Sequence, residues 1–401
     1  MQKIRNSIDS INSYLLMLTA FFLPLTVFGG NLFAVLIFLL WLVKADFKTD
    51  FYRLKDNKLV IAVLLYLLVH VVALLWTADI ESGLWTLKKQ LKFLFIPIFM
   101  LFVKREHVKY YILAFLASMS LSEIWSYGIF FQLLPLYGGA TLIDPIPLMS
   151  HITYNPFLAI AIYLLSYYVL FDHSINRSKK VIYSFFIITM SINMFITGGR
   201  AGQVMFFAMI TILIFQYYNP KRIKAAVLTM IIVPSIFMSA YSLSPQFNNR
   251  VNDAIDNISS YNDEGKRDTS VGQRITYTLN SFKIIQQNPL FGVGTGDFPD
   301  EYKKVHMNNT PDVGLTVNPH NMYILTTVQL GVLGLASMLL IFYHQLRFAL
   351  SSKIGIVKDL GVVLPMLFLV IMWSDSYLLG HYTTILFVFF SSFLYKDFEK
   401  N

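Results

Sequence analysis

The sequence predicts an all-α protein that crosses a membrane many times, and three observations carry that prediction. Hydrophobic residues fill 56% of the 401 positions and charged residues only 14%, against roughly a quarter charged in a soluble domain. Apolar stretches of about bilayer length recur from one end of the chain to the other. Basic residues gather in alternate connecting segments, which is the asymmetry that orients multi-pass proteins.

Twelve crossings are expected, near 14–29, 31–43, 59–76, 91–103, 110–134, 154–171, 181–197, 201–218, 224–243, 320–346, 354–373 and 376–395. The first apolar run is followed almost at once by a second, a pattern unlike a cleavable signal. The second and fourth are short for a crossing. The fifth contains Glu123, an acid at membrane depth; such a residue is either a functional group or a partner for a neighbouring helix. The seventh and eighth are joined by Thr197-Gly198-Gly199-Arg200, a turn so short that it holds Arg200 near the membrane surface. Between the ninth and tenth lies a hydrophilic stretch, about 244–319, read as a loop with short amphipathic helices inside one domain spanning 1–401. Within it Ile275, Leu279, Phe282 and Ile285 recur at helical spacing, and Asn288-Pro289 stops the pattern. The predicted helix lies on the membrane surface, with Arg274 near its start.

With the N-terminus in the cytoplasm, the cytoplasmic loops and tails hold 21 of the 32 Lys and Arg residues, while the opposite-side loops 135–153 and 374–380 hold none. Both termini are therefore expected inside. The formal charge of +9 is mostly this topology signal, which removes nucleic acid as an expected partner. Cysteine is absent, so disulfides and Cys-based metal sites are excluded.

Four outer-side cations outside the long loop break the charge rule: Lys88, Lys89, Lys92 and Arg200. Each either anchors a helix by reaching lipid phosphate or contributes to a phosphate site, for which the guanidinium fork is well shaped. Gly292-Val293-Gly294-Thr295-Gly296 resembles a phosphate-cradling turn but lacks the Lys-Ser/Thr ending of a P-loop; its backbone N–H groups are expected to help hold an anion. Asn318-Pro319-His320-Asn321, with Gly331 and Gly334 beyond it, sets a histidine where a wet loop meets a membrane helix. Pro319 fits the first helical turn and Asn318 can cap it. A neutral imidazole there can take a proton from a hydroxyl, or simply cap the helix. No His-x-x-x-His pair or compact acidic cluster accompanies it, so neither metal nor cofactor is expected.

Thr197-Gly198-Gly199-Arg200, the Arg274 segment, Pro289-Leu290-Phe291-Gly292-Val293-Gly294 and His320-Asn321-x9-Gly331-x-x-Gly334 occur in that order. In this the chain resembles the bacterial O-antigen ligase/polymerase superfamily of lipopolysaccharide assembly, most strongly over about 185–345, and the ligase branch in particular. The resemblance implies a metal-independent glycosyltransferase of the GT-C type in the inner membrane, with its active site on the periplasmic face. The donor would be O-antigen on undecaprenyl pyrophosphate and the acceptor lipid A–core. His320 matches the family's candidate base, and Arg200 and Arg274 its pyrophosphate-contacting arginines. Asn321, Gly292, Gly294, Glu123 and the three lysines are supporting candidates. Direct attack by the acceptor oxygen would invert the anomeric centre. The polymerase branch often carries Arg-x10-Gly elements, but here Thr211 and Ile285 stand at that interval. A flippase or transporter would place its charges near the bilayer midplane, whereas these gather at the outer surface.

Overall fold

The computed structural model describes residues 2–398 and is helical throughout, with seventeen α-helices, three 3-10 turns and no strand among the described residues. Eight helices are long and apolar enough to cross a membrane: Val27–Lys44, Lys58–Trp76, Arg105–Phe130, His151–Phe171, Arg177–Ile196, Arg200–Tyr217, Arg222–Leu243 and Met322–Ser351. The chain is thus a multi-pass membrane protein, but the expected count of twelve needs correction. The first run belongs to Gln2–Phe22, a helix whose opening carries Lys3, Arg5 and Asp9. The region 91–103 is split into a 3-10 turn, Leu91–Leu94, and the eight-residue helix Phe95–Phe102, only about 12 Å long. Gly355–Ile371 has 17 residues and His381–Leu394 has 14, each short of the roughly 20 that a straight crossing needs.

Backbone contacts divide the chain into two compact units, 1–40 with 104–252 and 41–103 with 253–401, which the expectation of one domain over 1–401 does not distinguish. In the first, the His151–Phe171 helix is central. Tyr154, Phe157 and Leu158 are fully buried, and a side chain at Gly202 would collide with Asn155, so two helices touch almost backbone to backbone. In the second, Lys58–Ala73 and Met322–Ser351 pack together.

The hydrophilic stretch is itself helical, as Pro245–Glu264, Ser270–Gln287 and Phe298–Asn309. Thr269 caps the second of these by accepting from the Gly272 N–H. It packs one face into a core through Tyr277 and Ile284, with Ile285 against them, and turns Leu279 and Phe282 outward. Tyr277, Asn280, Ser281 and Ile284 are buried, whereas Leu279 and Phe282 are about half exposed. Leu290 and Phe291 are exposed beyond it. Apolar side chains turned outward beside a packed face fit a helix that lies on a membrane surface.

The Met322–Ser351 helix is interrupted, which the sequence reading of a continuous crossing from 320 did not anticipate. Gly331 has φ +63° and ψ −165°, and the 289–294 backbone enters at the break. The N–H groups of Val293 and Gly294 donate to the carbonyls of Val328 and Gln329, both at 2.9 Å, and the Val332 N–H donates to Pro289 at 2.9 Å. The backbone groups freed by the break are thereby satisfied, as burial requires. A Cβ at Gly331 would sit 2.2 Å from the Leu290 carbonyl oxygen, in a conformation that L-residues avoid.

Two outcomes are expected. Gly331→Ala, which combines strain with a backbone collision, should cost more than about 1–3 kcal/mol and lower the melting temperature of the purified protein. Gly265→Ala, also at positive φ but with open space around it, should cost distinctly less. For topology, cysteines introduced at the exposed positions Leu136 and Ser259 should react with an impermeant thiol reagent in intact spheroplasts. Those at Lys55 and Ser178 should react only after lysis, and external labelling of Lys55→Cys would reverse the orientation.

Candidate active site

In the second unit, the structure moves the helix cap. The helix starts at Met322, and Asn321, not Asn318, caps it by accepting from the Ile324 N–H at 3.1 Å. The Asn321 side-chain amide also donates to the Trp373 carbonyl at 3.3 Å, and the Met322 N–H donates to Met372 at 2.9 Å. These bonds fasten the start of the helix to the 372–376 segment. Pro319 therefore lies outside the helix, and Asn318 is free for a different task. Its side-chain oxygen accepts from the His320 N–H at 3.0 Å and the Ser376 hydroxyl at 2.8 Å, while its amide donates to Asp375 at 3.2 Å.

His320 consequently sits at φ +53°, a left-handed conformation uncommon for a residue with a Cβ. Strain of this kind persists only where the surroundings over-determine it. The imidazole is about one-third exposed and stacks on Tyr277 at 6.3 Å between centroids. Its Nδ1 lies 3.3 Å from Asp375 Oδ1 without the direction of a good hydrogen bond, so the carboxylate acts on the ring mainly as a nearby charge. Burial pushes the Asp375 carboxyl up, but His320, the Ser376 N–H and the charge of Arg274 outweigh it and hold the group below the usual carboxylate range. Asp375 is therefore ionised at neutral pH. Its stabilising contribution is in place above about pH 4 and is lost only as the pH falls through its lower folded value. A carboxylate beside Nδ1 favours the proton there and leaves Nε2 as the accepting nitrogen.

Asp375 escaped the sequence reading because it lies far along the chain, in a seven-residue connection taken only as a topology marker. It is the lone acid in a loop without basic residues, and that was the available signal. Arg274, half-buried in the first turns of Ser270–Gln287, brings its field to Asp375.

The lysines lie in the same unit. Lys89 places its ammonium 3.3 Å from the centre of the Trp85 ring, and burial lowers its pKa. Lys92 Nζ is 3.1 Å from His381 Nδ1, and Lys88 is exposed. In the 292–296 turn, three of the N–H groups expected to help hold an anion are engaged elsewhere: those of Gly292, Val293 and Gly294 donate to the carbonyls of Asn288, Val328 and Gln329. Asp297 beside it accepts from the N–H groups of Ala78 and Asp79 at 2.7 and 3.1 Å, and Thr77 donates to the Thr295 carbonyl at 3.1 Å. The turn thus anchors the connection that leads into the lysine-bearing Ile80–Gln90 helix. Among the described residues no group of three His, Asp or Glu is placed to hold a metal ion.

The first unit holds Arg200 at the start of Arg200–Tyr217. Its turn is fixed from behind by buried amides. Thr197 donates to Asn155 Oδ1 at 2.7 Å, Asn155 donates to the Gly199 carbonyl at 3.2 Å, and Gln203 donates to Thr197 at 3.3 Å. Arg250, from Pro245–Glu264, lies against Gly198, with Nη2 only 3.2 Å from where a side chain would begin. The sequence reading left Arg250 among the loop charges; only the packing shows that two arginines serve one turn. Glu123 is buried in the same unit, with Tyr127, Tyr154 and Thr189 as electrostatic neighbours. His151 is engaged by Asp144 at 2.6 Å, and in the second unit His306 stacks on Tyr302.

A protein of Haemophilus influenzae described as uncharacterized is 25% identical over 310 residues, covering 74% of each chain. Residues 185–339 match the family model described as O-antigen ligase. Arg200, Arg250, Arg274 and His320 all fall inside that match, and this chain accordingly carries an O-antigen ligase domain over residues 185–339.

Proposed function

We propose that the protein is an O-antigen ligase, moving a glycan from undecaprenyl pyrophosphate to a sugar hydroxyl of lipid A–core at the periplasmic face. The observation that carries this reading is His320, strained and tied down beside an ionised Asp375, within a segment that matches the O-antigen ligase family. In the reaction, His320 takes the proton of the acceptor hydroxyl as its oxygen attacks the anomeric carbon. The bond from that carbon to the diphosphate oxygen breaks, the diphosphate leaves with the electron pair, and the configuration inverts. Asp375 stabilises the imidazolium that forms. Arg200 and Arg274 each contact diphosphate oxygens, and Arg250 reinforces the 197–200 turn that presents Arg200. Fixed guanidiniums supply the charge stabilisation that a departing diphosphate needs, so the transfer is metal-independent.

The test is transfer by the purified protein from lipid-linked donor to lipid A–core, without nucleotide and in excess EDTA. Glycan on lipid A–core is the expected product. Extension of a second lipid-linked glycan would instead identify a polymerase, and activity restored only by magnesium would overturn the metal-free reaction.

Substitutions separate the roles. His320→Ala should keep donor binding and lose about 10²–10⁴-fold in single-turnover rate. His320→Asn tests a purely structural role, because Asn tolerates positive φ; a near-wild-type rate would remove His320 as the base. Asp375→Asn should fold and slow transfer by roughly 10- to 10³-fold. Arg200→Ala and Arg274→Ala should weaken donor binding as well as rate. Arg200→Lys should fail too, since it keeps the charge but loses the planar fork; full activity would reduce Arg200 to a point charge.

A further inference from the structure

The far end of the Met322–Ser351 helix, away from His320, borders a cavity of about 680 Å³. This volume lies within the range of small-molecule sites, roughly 300–1,000 Å³. Four separate stretches of the second unit wall it: 49–59, 100–101, 344–351 and 396–397. Arg53, Lys58, Arg347 and Lys396 line it, against the two carboxylates of Asp56 and Asp397. Leu59, Met100, Leu101 and Phe348 add an apolar side.

The cations differ in how far the protein itself uses them. Lys396 is buried and donates to the Val103 carbonyl at 2.7 Å, and Arg53 approaches Asp50 at 4.0 Å. Arg347 is exposed and touches only the edge of hydrogen-bond range to the Tyr343 hydroxyl, 3.5 Å. Lys58 is exposed at the first turn of its helix. Both of these also act electrostatically on His344, which lines the same cavity. These cations come from three chain segments far apart in sequence, 49–59, 344–351 and 396–397, and all line one partly open cavity.

We propose that this cavity is a second ligand site, which takes a phosphate group bearing an apolar substituent. Arg347 and Lys58 grip the phosphate oxygens by charge-assisted hydrogen bonds, and the apolar side receives the attached chain or ring. A phospholipid headgroup and a soluble phosphate ester share this chemistry. The site is separate from glycan transfer and does not rest on that reading.

The test uses the full-length protein in an uncharged detergent and three probes: dihexanoyl phosphatidic acid, phosphate-free dihexanoylglycerol and inorganic phosphate. Native mass spectrometry and ligand titration read binding to the wild type, to the Lys58→Gln/Arg347→Gln double variant and to Lys179→Gln/Lys180→Gln as a control. The wild type should bind phosphatidic acid at least about tenfold more tightly than dihexanoylglycerol, and the double variant should lose about tenfold or more. The control should lose nothing. Inorganic phosphate that competes with similar affinity identifies a soluble phosphate as the ligand; failure to compete identifies the lipid headgroup. Equal binding of the phosphate-free probe, or phosphatidic acid binding untouched in the double variant, would overturn the proposal. Both substituted side chains are exposed, and single Arg347→Gln keeps the test available if the double variant expresses poorly.

Discussion

At Gly331 the backbone leaves helical geometry, and the 289–294 segment fills the break with its own hydrogen bonds. The neighbourhood of His320 depends on this splice. On one side of it the segment 322–330 packs with Tyr277, Ile284, Phe298 and Tyr302 into a small core, which fixes the Ser270–Gln287 helix and so Arg274. On the other side the chain continues as a membrane-length helix. The same turn, through Asp297 and Thr295, holds the connection into the lysine-bearing helix. Only glycine can occupy the crossing, because a Cβ would overlap a backbone carbonyl.

That rigidity has a chemical consequence. A histidine used as a base must be held in one orientation before the substrate arrives, since positioning supplies much of the rate. Here the main chain of His320 is forced into an unfavourable region by Asn318, and its ring is placed between Tyr277 and Asp375. The loop is held by its side-chain amides: Asn318 and Asn321 both bond to the 373–376 segment. In the first unit, Asn155, Gln203 and Thr197 do the same for the turn before Arg200. In both units, side-chain amides set the backbone that presents a charged side chain. Such networks are costly if left incomplete and rigid when satisfied.

The membrane character, the helical class and the helix that carries Arg274 were legible in the sequence, because apolar length and helical spacing are local properties of the chain. The stripe of Leu279 and Phe282 was legible as well, although it turns away from the protein core. Arg200, Arg274 and His320 stood out because each sits in a short motif with punctuating glycine or proline. The number of crossings was less legible: hydropathy cannot tell that 91–103 folds as a 3-10 turn and a short helix.

Tertiary structure alone decided which residue caps the helix after His320, that Asp375 stands beside the imidazole, and that Arg250 joins the turn of Arg200. It also decided that the Val293 and Gly294 N–H groups of the glycine-rich turn bond across the Gly331 break. The cap itself is local, but the bonds from Asn321 to Trp373 and from Met322 to Met372 that fasten it, like the other three, join residues far apart in the chain. A single sequence records residue types and local spacing but no such distance. What the sequence by itself determined is which residues had chemistry to offer; folding determined which of them met.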